Sequence, residues 1–260
     1  MLQGTLAEID AFPPVHEGYF EKPSPLSKSQ RRQANRAKSR ANKQALAPKP
    51  LKPRNEAQHF YMELLNDPLV TQVFALGDAG TGKTYIASRI AARRLIEEKI
   101  SKIFIARPTV SQKAHQLGFL PGGLKQKLAP WLVPITDALK QEMSAATLDK
   151  YMGEGKIEFV SFEHMRGRTF EDCFVILDEA QNCTLADLKL FLTRKGENST
   201  YVIAGDTTQV DIENSGLAPI HRMILDQDLS AEIAEFDASD VVRSADAKEW
   251  VQAFHKLQGV

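Results

Sequence analysis

Glycines at 77, 80 and 82, a lysine at 83 and a hydroxyl at 84 stand in the spacing GxxxxGK[ST] within Gly77-Asp78-Ala79-Gly80-Thr81-Gly82-Lys83-Thr84. These residue types at that spacing suit the cradling of a polyphosphate. The glycines let the backbone wrap an anion without Cβ clashes. Lys83 has the length to reach the β- and γ-phosphates, and the Thr84 hydroxyl is a ligand for Mg²⁺. The cradle, Gly77 through Tyr85, is therefore the expected nucleotide site. Such a loop needs a strand before it and a helix after it. Thr71–Leu76 (TQVFAL) is an apolar, β-branched run that predicts a buried strand, and Tyr85–Ile96 (YIASRIAARRLI) is helical in composition and period. The loop amides then lie at a helix N-terminus, where the dipole favours an anion.

A second chemical cluster follows another apolar run. Phe174–Leu177 (FVIL) predicts a strand that ends in Asp178-Glu179-Ala180-Gln181. Acids at the C-terminal end of a parallel strand lie where α/β proteins bind ligands. Asp178 is the expected Mg²⁺ ligand, acting through water, and Glu179 the expected base for an attacking water. The bland alternative is a helix N-terminus carrying favourable acids. Thr200–Ala204 (TYVIA) predicts a third strand, closing in Gly205-Asp206-Thr207-Thr208-Gln209. Alone that cluster reads as a turn; third in sequence, it offers Gln209 as a γ-phosphate sensor.

These residues carry a family resemblance. The DEAQ and GDxxQ pair resembles the motor core of superfamily 1 helicases. The longer stretches resemble the PhoH family more closely: Arg107-Pro108-Thr109-Val110, Leu117–Leu139 (LGFLPGGLKQKLAPWLVPITDAL), Met165–Thr169 (MRGRT), Val175–Thr184 (VILDEAQNCT), Phe191–Gly196 (FLTRKG) and Asp240–Arg243 (DVVR). The resemblance runs from about Asn55 to about Arg243. It implies a single ATPase domain, of a kind induced by phosphate starvation in bacteria and common in phage genomes, with RNA-related roles. The short chain and basic leading segment are similar to the phage-encoded versions. Where the family commonly has Gly-Glu before LGFLPG, this chain has Gln112-Lys113. Asn55–Leu65 (NEAQHFYMELL) predicts a helix capped by Asn55. It resembles the Q-motif of superfamily 1, in which Gln58 would bind the adenine edge; a capped amphipathic helix with an exposed Gln is the alternative. No Asn-Lys-x-Asp guanine reader is recognised, which favours ATP.

With 260 residues, 43% of them hydrophobic, the chain can bury one large core. No apolar run approaches the ~20 residues of a membrane span. The acidic start MLQGTLAEIDAF has no basic n-region, so the expectation is a cytoplasmic protein, in the host cytoplasm if phage-encoded. Cys173 and Cys183 are expected to be free thiols, and Trp131 and Trp250 to pack in or under the core. The formal net charge is zero, yet eleven of the 33 Lys and Arg fall in Lys22–Arg54, which has no acid. The remaining 22 face 33 acidic residues, a net of −11. Residues 1–54 are accordingly expected to form a tail, flexible and basic from Lys22, with a transient helix over Gln30–Leu46 and a stiff Pro-rich linker over Pro48–Pro53. Such an arm suits nucleic-acid phosphates through counterion release, or serves to solubilise an acidic body. It lacks aromatic residues on which bases could stack.

Residues 55–260 are expected to form one RecA-like α/β domain, a parallel sheet with helices on both faces. The remaining elements are strands Lys102–Ala106, Ile157–Ser161 and Ala231–Asp237, and helices Leu185–Thr193, Leu217–Leu225 and Ala247–Leu257. Gln126–Glu142 is apolar at helical spacing, interrupted by Pro130 and Pro134, and reads as an insertion over the crevice. One lobe has no second lobe to supply an arginine, so family analogy implies a ring, a hexamer, with Arg243, Arg168 or Arg194 as the donated finger. Arg243, acting in trans, is the expected choice. Two functions fit. One is a Mg²⁺-dependent ATPase working on RNA or single-stranded DNA, as a helicase or translocase. The other is an ATP-gated module that recruits a nuclease or ribosome-associated partner.

Overall fold

The structure, a computed structural model, describes residues 49–108, 124–206 and 209–244, with Asp246, Ala247, Glu249, Trp250 and Ala253 beyond them; for 124–131 it describes the backbone alone. The expectations for the tail up to Pro48, for Gln112-Lys113, for the Leu117–Gly123 part of the family stretch, for the Trp131 side chain and for Thr207 and Thr208 lie outside these residues.

Six strands form one parallel sheet in the order β3-β2-β4-β5-β1-β6. They are β1 (Gln72–Gly77), β2 (Lys102–Ala106), β3 (Ile157–Val160), β4 (Cys173–Leu177), β5 (Ser199–Gly205) and β6 (Glu232–Phe236). β5 lies between the strand that leads into the phosphate loop and the strand that ends before Asp178, as in a RecA-like core. Alternation along each strand sends residues to two cores. Val73, Ala75, Ile103, Ile105, Phe174 and Ile176 face one side, and Phe74, Leu76, Phe104, Val175 and Leu177 face the other. Both faces are apolar because both are covered. On the first lie α1 (Glu56–Asn66), α2 (Lys83–Ile96), α3 (Leu124–Leu139) and α4 (Ala145–Gly153). On the second lie the short α5 (Phe162–Met165), α6 (Leu185–Leu192) and α7 (Leu217–Gln227).

Several boundaries differ from the expectation. Pro130 and Pro134 do not interrupt α3, which runs unbroken from Leu124 to Leu139. Spaced four apart, they put their missing N–H groups on one side of the helix, leaving the rest of the ladder to hold it. Helix α4 was not predicted, although Ser144 caps it by accepting from Thr147 N at 3.1 Å. Residues 49–54, given to the tail from sequence, lie along the body. The Lys49 carbonyl accepts from Arg89, Leu51 packs on the core, and Arg54 N donates to Gln58 at 2.9 Å. Trp250, expected in the core, is 67% exposed. Cys173 and Cys183 are buried free thiols; burial pushes Cys173 up to about 12 and Cys183 higher still, so neither is a reactive thiolate. Among the described residues no helix is long and apolar enough to cross a membrane.

Candidate nucleotide site

Parallel strands deliver their C-terminal ends to one edge of the sheet, and four of them build this site. β1 ends at the phosphate loop, β5 at Asp206, β4 at Asp178 and Glu179, and β2 at Arg107. Between them is a crevice of ≈ 370 Å³, within the range of small-ligand sites.

The loop holds its shape by close approach. Gly77 has φ +127°, and a Cβ there would stand 1.7 Å from the Phe236 carbonyl oxygen of neighbouring β6. Only glycine fits. Thr81 is wholly buried, its hydroxyl donating to the Asp78 carbonyl at 2.9 Å, so it braces the loop from within. The Lys83 amine is folded onto the loop, 2.7 Å from the Gly77 carbonyl and 2.6 Å from that of Asp78. Burial lowers its pKa, against the opposing pull of Asp206, Asp78, Asp178 and Glu179 in that order. Ala79, Gly80, Gly82, Lys83, Thr84 and Tyr85 line the crevice, with the loop amides at the N-terminus of α2. The Thr84 hydroxyl donates to Asp178 Oδ1 at 2.6 Å. Two hard oxygen donors from different elements thus meet at one point, the donor set that suits Mg²⁺.

Glu179 is held by one donor on each carboxylate oxygen. Its φ of +56° is left-handed, an uncommon conformation for a residue with a side chain and a frequent one at functional sites. Oε1 accepts from Arg107 Nη2 at 2.8 Å, and Oε2 from Gln181 Nε2 at 2.7 Å. Gln181 Oε1 accepts from Asp206 N at 3.0 Å, and Asp206 Oδ2 accepts from the loop amide of Ala79 at 2.8 Å. Arg107, Gln181 and Asp206 were given no role from sequence. The signal was available at two of them. Arg107 and Asp206 are, like Asp178, polar residues just past apolar strands.

Other expected residues take different places. Gln58 is buried and absent from the crevice lining; its Nε2 donates to the Thr81 carbonyl at 2.8 Å while Oε1 accepts from Arg54 N. It braces the loop rather than facing a base. Gln209 is exposed and lies off the crevice lining, its amide 3.4 Å from the Asp206 carbonyl. Arg243 lines the crevice of its own chain, and a Cβ on Gly80 would fall 2.5 Å from Arg243 Nε. Val242 N donates to the Gly80 carbonyl at 3.0 Å, Val241 is buried, and the Asn55 amide holds the Asp240 carbonyl. The anchored 240–242 backbone thus sets Arg243 beside the phosphate loop of its own chain. Arg168 stacks on Phe104 and Phe170 and donates to Glu158 at 3.2 Å, so its head is engaged locally. Arg194 precedes β5 and lies at the sheet's opposite edge.

The insertion adds one wall. Pro134 and Ile135 of α3 line the crevice beside Tyr85. Just past α3, the buried Glu142 binds Arg89 and Arg93 of α2 at 2.5 and 2.9 Å. α3 therefore rides on the helix that follows the phosphate loop.

A phosphate loop at a helix N-terminus, a hydroxyl–carboxylate pair and a second carboxylate on the neighbouring strand define a P-loop nucleotide-binding protein of RecA-like fold. Residues 50–255 match the family model described as PhoH-like protein, and the chain belongs to that family. It is 40% identical over 210 residues to Protein PhoH of Escherichia coli K12, a match covering 79% of this chain and 58% of the relative. It is 43% identical over 187 residues to the PhoH-like protein of Bacillus subtilis, covering 71% and 58%. The chain thus spans less than two thirds of the length of these relatives. Among solved structures, the Pyrococcus furiosus Hef helicase domain aligns with TM-score 0.37 and 18% identity, over 70% of this chain and 38% of that one. The Sulfolobus solfataricus SWI2/SNF2 ATPase core in complex with dsDNA aligns with TM-score 0.42 and 14% identity, over 72% and 45%. Similarities of that size say nothing about function.

Proposed function

We propose that this chain is a Mg²⁺-dependent ATPase that works on RNA or single-stranded DNA. The observation that carries the ATPase reading is the 2.6 Å contact of Thr84 with Asp178 beside a restrained Glu179. In this reading the loop amides and Lys83 hold the phosphates, and Thr84 and Asp178 hold the metal. When bound, Mg²⁺ supplies charge neutralisation at the β- and γ-oxygens. Glu179 accepts the proton of the attacking water. Arg243, seated over Gly80, stabilises charge from within its own subunit.

Measuring ATP turnover with and without RNA and single-stranded DNA tests the reading. Turnover raised by either polymer supports it. Turnover indifferent to both favours the ATP-gated module that recruits a nuclease or ribosome-associated partner. The basic arm is the proposed source of phosphate contacts. Removing residues 1–48, which spares the packed Leu51, should weaken nucleic-acid binding and flatten its salt dependence. An unchanged slope would assign the arm another task.

A head-to-tail ring, a hexamer by family analogy, remains the proposed assembly, to be checked by light scattering. Arg243→Ala should bind ATP yet hydrolyse it about 10³-fold or more slowly. With Arg243 in its own crevice, mixing Arg243→Ala with Lys83→Ala subunits restores no activity. Recovery on mixing would return Arg243 to the trans role.

A further inference from the structure

Adjacent carboxylates face a common difficulty beside a divalent cation. Both are drawn to it, and a base bound to the metal no longer serves as a base. Asp178 and Glu179 are consecutive at the end of β4, so the chain must keep them apart. The geometry points to Arg107 as the residue that does so. This inference rests on the ATPase reading for the roles of the two acids, while its main observation is independent of turnover.

β2 and β4 are hydrogen-bonded neighbours, with Ala106 opposite Leu177 and Asp178 N donating to the Ala106 carbonyl at 2.9 Å. Register alone therefore puts Arg107 next to the acidic pair. The backbone at Glu179 is left-handed, and its carboxylate lies against the guanidinium. The contacts divide unequally. Arg107 Nη2 is 2.8 Å from Glu179 Oε1, whereas Nη1 is 3.7 Å from Asp178 Oδ2. Asp178 uses its other oxygen, Oδ1, for Thr84. Glu179 is thus fixed by Arg107 and Gln181, one donor on each oxygen, and Asp178 is left facing the phosphate loop. A fixed positive charge within contact of both acids also weakens their joint pull on a free cation.

We propose that Arg107 is a positioning residue that holds Glu179 out of the metal's coordination sphere and aims it as the base. The test uses the full-length chain with Mn²⁺ alone as a probe, free ion being followed by its magnetic resonance signal, and ATP turnover in parallel. Arg107→Ala should bind Mn²⁺ about threefold or more tighter, because the repelling charge is gone and Glu179 can join Asp178. Its kcat should fall roughly 10–100-fold with little change in KM for ATP. Arg107→Lys keeps the charge and one donor, so it should restore the Mn²⁺ affinity and part of kcat. In a Glu179→Gln background, Arg107→Ala should change turnover no further, since the residue it positions is gone. Unchanged Mn²⁺ affinity overturns the proposal, as does a loss confined to KM or an additive loss in the double variant. A wild-type chain that binds Mn²⁺ as described but hydrolyses no ATP would instead refute the ATPase reading, with the metal titration still deciding the role of Arg107.

Discussion

Glu179→Gln should bind ATP as tightly as the wild type and hydrolyse it about 10²–10⁴-fold more slowly, the usual contribution of a positioned base. The amide keeps the volume of the carboxylate but cannot take a proton from water. It also faces two donors, Arg107 and Gln181, where one amide oxygen satisfies only one of them. The left-handed backbone at 179 and the buried strand before it are untouched, so thermal stability should stay close to that of the parent. Lys83→Ala should fail earlier, at binding, because the amine that folds over Gly77 and Asp78 is the cation of the loop. Equilibrium nucleotide binding and single-turnover hydrolysis on the two variants separate these effects. Wild-type-like turnover in purified Glu179→Gln would falsify the assignment of the base, and ATP binding undiminished in Lys83→Ala would remove that lysine from the phosphate site.

The parts of the site that lie within one sequence segment were legible before the fold was known. The phosphate loop has a fixed spacing because one backbone path must wrap one phosphate chain, and Asp178-Glu179 stands out against the apolar FVIL before it. The sheet was legible for the same reason. Strands such as Cys173–Leu177 are buried on both faces and show as continuous apolar runs. Contacts between segments were not legible. That Gln58 turns inward to the Thr81 carbonyl depends on where α1 lands against the loop, and the capped helix pattern of NEAQHFYMELL is the same for either orientation. The inward course of Arg243 depends on Val241 finding a buried site and Val242 pairing with Gly80. The restraint of Glu179 by Arg107 requires knowing that β2 and β4 are neighbours, which a parallel sheet with crossovers does not reveal in chain order. Glu142 was unreadable in another way, since a lone acid after an amphipathic helix is ordinarily a solvated residue.

Glu142→Ala should be the most destabilising single change among those considered, by about 3–5 kcal/mol. For a body of this size that lowers the melting temperature by about 6–20 °C. The side chains of Glu142 and Arg89 are 1% and 4% exposed, so neither charge has water to fall back on. Removing the carboxylate leaves the Arg89 guanidinium buried with the Lys49 carbonyl and the hydroxyl and ring of Tyr85. None of those carries a compensating charge. The loss should reach the nucleotide site as well. Glu142 fastens the end of α3 to α2, and Pro134, Ile135 and Tyr85 form the crevice wall on that side. Nucleotide affinity should therefore fall even at temperatures where the variant is folded. The decisive comparison is a triple replacement, Arg89→Met with Arg93→Leu and Glu142→Leu. If the cost in the single variant is an orphaned buried charge, removing all three ions should recover most of the melting temperature, because apolar side chains need no counter-ion there. If the triple variant melts as low as Glu142→Ala, then the lost packing of α3 on α2, not the unpaired charge, sets the cost. A single variant melting within a degree or two of wild type would show that the pair does not fasten the insertion at all.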